Sequence, residues 1–153
     1  MSSIDDRLRA LGITLPDAFP PAGNYSSSAR TGDLLFVGGH GPIAGDTLMR
    51  GKVGTDLTLA QGRDAARMTA LSLLATMRAD LGSLDRVEQV VKVFGMVNVG
   101  GTFDQTPAVI DGCSDLLVEV FGDRGRHTRS AIGVAALPFG IAVEIELIAR
   151  VTD

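Results

Sequence analysis

Near its end the chain carries a pattern that limits its folding options. Between Ala142 and Val151, the residues Val143, Ile145, Leu147, Ala149 and Val151 are apolar, and Glu144, Glu146 and Arg150 stand between them. This period of two belongs to a strand with one buried face. Such a face needs a second layer to cover it, and two segments fit that role. Thr58 to Leu81 reads as a helix: Thr58 and Gln61 form a capping-box pair, and Gly82 supplies the stop. Ala66, Ala70, Leu73, Leu74, Met77 and Leu81 share one face at helical spacing. A second helix is expected from Thr106-Pro107, read as an N-cap followed by proline at the first helical position. Ile110, Cys113, Leu117, Val120 and Phe121 form its apolar stripe, and Gly122 ends it.

The remaining segments supply more strands. Leu34 to Gly38 is a short apolar strand after a Gly32-Asp33 turn, and a turn or short edge strand is expected around Gly45-Asp46 and Gly51. Val87 to Val99 is rich in β-branched residues and long enough for a long strand. Ser130 to Leu137 reads as a strand joined to Ala142–Val151 through a hairpin turn at Leu137-Pro138-Phe139-Gly140. At the N-terminus, Ile4, Leu8 and Leu11 lie at helical spacing between Ser3 and Gly12, and Pro16, Pro20 and Pro21 then impose an extended arm that leads to Tyr25. The order is a short helix followed by ββαβαββ. This predicts a two-layer α+β domain, a mostly antiparallel sheet packed on two helices. Residues 1–153 form a single domain, with 1–21 as helix and arm and 22–153 as core. One sheet face is left uncovered, and subunit association is expected to bury it.

Composition narrows the function classes. A formal net charge of −4 lacks the basic footprint of a general nucleic-acid binder, so no nucleic-acid partner is expected. A single cysteine, Cys113, cannot form an internal disulfide or a cysteine-based zinc cluster, and His40 and His127 make no metal motif. The segment MSSIDDRLRALG is charged and does not read as a secretory signal. No apolar run approaches the ~20 residues of a membrane span. A cytoplasmic setting fits these features.

Several residues stand out chemically. Gly39-His40-Gly41-Pro42-Ile43-Ala44 matches GxGxxA after a strand, but Pro42 and Gly45-Asp46 point to a turn where a dinucleotide fingerprint needs a helix. These glycines read as a strand end whose backbone can approach a small ligand. Arg129, beside Ser130 at the start of an apolar strand, can hold a carboxylate bidentately, although a salt-bridged surface arginine is the ordinary reading. Glu144 and Glu146 point to one side of the last strand. A partly buried Glu144 can act as acid or base, and Glu146 reads as solvated. In the expected hairpin, Arg129 and Glu144 share a face in one of two registers. Asp111 reads as a first-turn carboxylate favoured by the helix dipole, Cys113 as an inert buried thiol and His127 as a loop residue.

Together these segments resemble the RidA/YjgF family, whose members also carry the name L-PSP endoribonuclease. The strongest piece is Arg129-Ser130, then Val134-Ala135-Ala136-Leu137-Pro138, then Val143-Glu144-Ile145-Glu146-Leu147-Ile148-Ala149, which is similar to the family's C-terminal signature. A second piece runs from Asn24-Tyr25 through Gly32 to Ile43. The Ile4 to Leu15 extension resembles a longer subgroup. The resemblance implies a chorismate-mutase-like fold assembled as a homotrimer with ligand clefts between subunits. It also implies hydrolytic deamination of reactive enamines or imines, such as 2-aminoacrylate, to 2-keto acids and ammonia without a cofactor. Arg129 falls on the family's substrate-carboxylate arginine, Glu144 on its water-handling glutamate, Tyr25 on the cleft tyrosine and Gly39 on the glycine facing the ligand. Three positions depart from the pattern: Ala131 stands where cysteine is frequent, Asp111 where asparagine is frequent, and His40 where glutamine is common. These departures point to a wider cleft or another substrate. Ala131 and Asp111 also motivate an alternative, a non-catalytic binder of small carboxylates or metabolites using the same cleft. Ribonuclease activity finds little support in an acidic chain with six phenylalanines and one tyrosine.

Overall fold

The computed structural model describes residues 3–153. Helix α1 (Ile4–Ala10) is followed by β1 (Ser28–Thr31) and β2 (Leu34–His40), then by a small ribbon of β3 (Ile43–Ala44) and β4 (Thr47–Leu48). Helix α2 (Leu59–Leu81), strand β5 (Val87–Asn98), helix α3 (Thr106–Phe121), strand β6 (Thr128–Val134) and strand β7 (Val143–Val151) complete the chain. The main sheet has the order β1-β2-β7-β5-β6, and β3 pairs with β4 separately. Three pairings are antiparallel and β5–β6 is parallel, so the α+β reading holds with a mixed, mostly antiparallel sheet.

The helices form where their caps predict. The Gln61 backbone N–H donates to Thr58 Oγ1 (3.1 Å) and the Thr58 N–H to Gln61 Oε1 (2.9 Å), which closes the capping box of α2. Gly82 ends α2 at φ 78°, a left-handed conformation that a side chain would disfavour. Ser3 and Asp6 form a second capping box at α1, and the Ile4 N–H docks on Asp85 Oδ1 at 2.7 Å. The start of α3 differs from expectation. Thr106 is already helical, and its hydroxyl donates to the Ala131 carbonyl (3.0 Å) rather than capping the helix. Gln105 holds the cap position without a side-chain bond.

The largest correction concerns β6 and β7, which do not form a hairpin. β7 inserts between β2 and β5, and β6 joins the far side of β5 in parallel through α3. Burial explains the choice. Val143, Ile145, Leu147, Ala149 and Val151 are all buried, as a strand flanked on both sides requires, whereas no residue of β6 is fully buried. The chain between them crosses the end of β5 by a tight turn at Pro138–Gly140, with Phe139 at φ 58°. Asn98 fixes this crossing: its Nδ2 donates to the Ile141 carbonyl (3.1 Å), and its Oδ1 accepts from Lys52 Nζ (2.7 Å). The other additions are small. β1 pairs with β2 across the predicted Gly32-Asp33 turn, and the strand expected over Ser130–Leu137 ends at Val134.

Both long helices lie on one face of the sheet and bury Leu73, Leu74, Met77, Ile110, Leu116 and Leu117 against Leu35, Val93, Ile145 and Leu147. Burial of this apolar area is the main stabilising force. The other sheet face is open. Phe36 and Ile132 on it are 42% and 43% exposed, and Phe94, Met96 and Ile148 are half-buried. No helix among the described residues is long and apolar enough to cross a membrane.

Candidate functional site

The predicted site residues fall into two groups, one where the end of β2 meets β7 and the other on β6 and α3. The first surrounds a cavity of about 470 Å³. The N-terminal arm forms one wall with Phe19, Pro20, Pro21 and Ala22, and Tyr25 follows with its hydroxyl accepting from the Ala22 N–H (3.2 Å). The end of β2 contributes Gly39 and His40, and the crossing segment and β7 contribute Phe139, Ile141 and Glu144. Apolar walls around a single carboxylate are the arrangement that shifts a carboxyl toward its neutral form. The Glu144 pKa is raised, first by burial and then by the negative charge of Glu146 on the same face.

Glu144 lies directly over the backbone of Gly39. A Cβ built on Gly39 would sit 2.8 Å from Glu144 Oε1 and 3.0 Å from its carboxyl carbon. Only glycine lets the carboxylate take this place. The clashing atoms are the end of a flexible side chain, so Gly39→Ala is expected to fold normally and to displace the carboxylate. The thermal midpoint should stay within about a degree or two of the parent chain's. Paired melting curves check this.

His40 lines the same cavity with its ring, yet both its nitrogens are engaged. Nδ1–H donates to the Gly38 carbonyl (2.7 Å), which leaves Nε2 to accept from the Thr76 hydroxyl on α2 (2.8 Å). Burial lowers its pKa, and the bond to Gly38 opposes that shift in part. His40 thus ties the end of β2 to α2 and holds the cavity floor in place. Arg50 lies in the same lining and was not singled out by the sequence. Its signal is absent locally because it reaches the cavity through an isolated bridge to Ile141, 91 residues further on.

The second group lies on β6 and α3. Arg129 Nη1 donates to Asp111 Oδ1 (2.8 Å) and to Ser114 Oγ (3.1 Å). Asp111 Oδ2 also stands 4.0 Å from Arg63 Nη1, so this carboxylate is shared by two guanidinium groups. Asp111 is the sixth residue of α3, and the first turn of that helix carries no acidic residue. The helix-dipole reading of Asp111 is therefore replaced by ion pairing. Ala131 follows two residues after Arg129 and packs against the core. His127 is not a bystander loop residue, because its ring bridges Ser114 and the Gly125 carbonyl. Cys113 is fully buried, and burial pushes its thiol up to about 12, so it is inert as expected.

The register answers whether Arg129 and Glu144 share a face. Arg129 pairs with Val93, and Val93 with Leu147. Leu147 points into the core beneath the helices, and Glu144 lies three residues away on the opposite face. β5 also separates the two strands, a displacement of roughly 10 Å across the sheet. Within one chain, Glu144, Gly39, Tyr25 and His40 come together, Arg129, Asp111 and Ala131 come together, and the two groups do not meet. Among the described residues no cluster of three His, Cys, Asp or Glu side chains could hold a metal ion.

A two-layer α+β fold of this strand order, with a cavity holding Glu144 beside β2 and β7 and an arginine centre on β6, is that of the chorismate-mutase-like proteins. The model of the family described as "YjgF/chorismate_mutase-like, putative endoribonuclease" matches residues 5–151, and the chain belongs to that family. It is 44% identical over 150 residues to Protein TCP17 of Trypanosoma cruzi, a match covering 95% of this chain and 92% of that one. A crystal structure from Shewanella oneidensis MR-1 superposes with a TM-score of 0.95 at 31% identity, covering 98% of this chain and 100% of that chain. E. coli TdcF, solved with bound serine, shares the fold with a TM-score of 0.61 at 22% identity, covering 88% of this chain and 94% of its own.

Proposed function

We propose that this protein hydrolyses reactive enamines and imines of the 2-aminoacrylate type to 2-keto acids and ammonia, without a cofactor. The observation that carries this reading is Glu144, a half-buried carboxylate held over Gly39 in an apolar cavity. An imine carbon is already electrophilic, so the protein must orient the substrate and activate one water. Ionised Glu144 accepts a proton as water adds to the C=N carbon. The resulting carbinolamine takes that proton on nitrogen, and as the C–N bond breaks to release ammonia the hydroxyl proton passes back to the Glu144 carboxylate, leaving the keto acid. Arg129 binds the substrate carboxylate and fixes which carbon faces the water. The serine bound by TdcF carries an α-carboxylate of this kind.

Because Arg129 and Glu144 lie on opposite faces of one sheet, a shared cleft needs two chains. In this reading the chain assembles as a homotrimer, with Glu144, Gly39 and Tyr25 of one subunit facing Arg129, Asp111 and Ala131 of the next. The open sheet face with Phe36, Phe94 and Ile132 supports such an assembly.

The test is turnover of imines generated in situ by an amino-acid oxidase, with wild type and Arg129→Ala side by side. Wild type should release keto acid and ammonia above the spontaneous rate. Arg129→Ala should lose roughly a hundred-fold or more in kcat/KM, with the oligomer intact by light scattering. Full activity in Arg129→Ala would sink the proposed anchor. Calorimetric binding of 2-keto acids without turnover would support the second reading, a non-catalytic carboxylate binder, which the Asp111–Arg129 pair favours by engaging part of the anchor beforehand.

A further inference from the structure

Arg129 sits at the head of a hydrogen-bond chain whose direction is fixed. The Gly125 carbonyl can only accept, so His127 Nδ1 must carry its proton and donate at 2.6 Å. In the neutral ring Nε2 is then an acceptor, and the Ser114 hydroxyl donates to it at 2.9 Å. That orientation leaves a Ser114 lone pair for Arg129 Nη1, 3.1 Å away. The second Nη1 proton goes to Asp111 Oδ1. Both protons of Nη1 are thus committed, and Nε and Nη2 make no hydrogen bond among the described residues. These two atoms form the side-on edge of the guanidinium, which fits the two oxygens of a carboxylate. The Arg129 side chain keeps 21% of its surface exposed.

We infer that Ser114 and His127 are positioning residues for Arg129, fixing its guanidinium so that the Nε–Nη2 edge is presented to a substrate carboxylate. This rests on the reading of Arg129 as the carboxylate anchor. Asp111 alone would leave the guanidinium free to rotate about one bond, and the Ser114 contact on the same nitrogen removes that freedom. The local sequence supports the arrangement. Ser114 is one helical turn beyond Asp111 on α3, so both face β6. The short turn Gly122–Gly125 then places the Gly125 carbonyl where His127 can reach back to it.

The test separates this inference from the reading beneath it. The probes are pyruvate and pyruvamide, which differ only in the carboxylate, and the readout is the ratio of their affinities by calorimetry on the full assembled protein. Wild type should prefer pyruvate by roughly ten-fold or more, and Arg129→Ala should lose that preference. Ser114→Ala and His127→Asn should move the ratio most of the way toward the Arg129→Ala value. His127→Asn keeps a donor for Gly125 and deletes the acceptor for Ser114. Ser114→Thr and His127→Gln, which restore a hydroxyl and an acceptor, should recover the preference. A general loss of packing would weaken both probes together and leave the ratio unchanged. If Arg129→Ala loses the preference while Ser114→Ala and His127→Asn keep it, the positioning role is wrong and the anchor stands. If wild type shows no preference, or Arg129→Ala retains it, the anchor reading fails and the inference falls with it.

Discussion

Glu144→Gln is expected to lower imine turnover by roughly 10²–10⁴-fold, the range over which a positioned general base contributes. Glutamine keeps the shape of the side chain over Gly39 and removes its capacity to accept a proton. The wild-type rate should fall as pH drops through the raised pKa of Glu144, because the protonated carboxyl no longer takes a proton from water. In the variant that acid limb should vanish. Stability should move the other way. A carboxyl whose folded pKa lies above its unfolded value favours the fold at low pH, and that contribution is lost as pH rises through the folded pKa. Near neutrality the ionised group is therefore a burden on the fold, and glutamine relieves it. A variant with lower activity and an equal or higher thermal midpoint would identify Glu144 as a group kept for chemistry. Unchanged turnover across the pH range would show that water is activated elsewhere.

The second large effect lies where the helices meet. A Cβ on Gly112 of α3 would sit 2.1 Å from the Arg63 carbonyl oxygen and 2.9 Å from its carbon, both backbone atoms of α2. No rotamer change relieves that contact, so Gly112→Ala must push the helices apart. The expected cost is about 3 kcal/mol, at the upper end of ordinary overpacking. In a chain of 153 residues this lowers the thermal midpoint by roughly 10 °C. Thermal melts of Gly112→Ala and of Gly82→Ala, which strains a left-handed cap and meets no neighbouring atom within 4 Å, would separate a steric from a conformational cost. A Gly112→Ala midpoint within a degree or two of wild type would mean that the helix pair tolerates a wider spacing. Because Asp111 and Ser114 flank Gly112, the same variant should also disturb Arg129.

The two long helices are legible in the sequence because caps and apolar stripes are local signals. Thr58, Gln61 and Gly82 act within a turn of where they stand, and the structure uses each as the spacing predicts. The position of β7 is not legible in the same way. Its period of two shows that it is a half-buried strand, but a short Pro-Gly turn before it suggests a neighbour in sequence. The complete burial of Ala142, Val143, Ile145 and Ala149 is the sign of a central strand, and burial is known only once the partners are in place. The same limit applies to the candidate site. Tyr25, Gly39 and Glu144 converge through long-range pairing of β2 with β7, which the C-terminal motif alone does not specify. Thr106, Ser114 and His127 had the right chemistry, yet their partners lie on other elements, so their residue types alone gave no signal.

The central placement of β7 also bears on the order of events during synthesis. Strands β2 and β5 flank a vacancy until β7 arrives, and β7 pairs with both through Leu34–Arg150 and Val87–Val151. A chain that reaches only to Gly140 has both long helices and four of the five strands of the main sheet, yet that sheet is split into the β1–β2 pair and the β5–β6 pair. The sheet becomes continuous only when β7 is in place, and the inner edges of β2 and β5 stand unpaired until then.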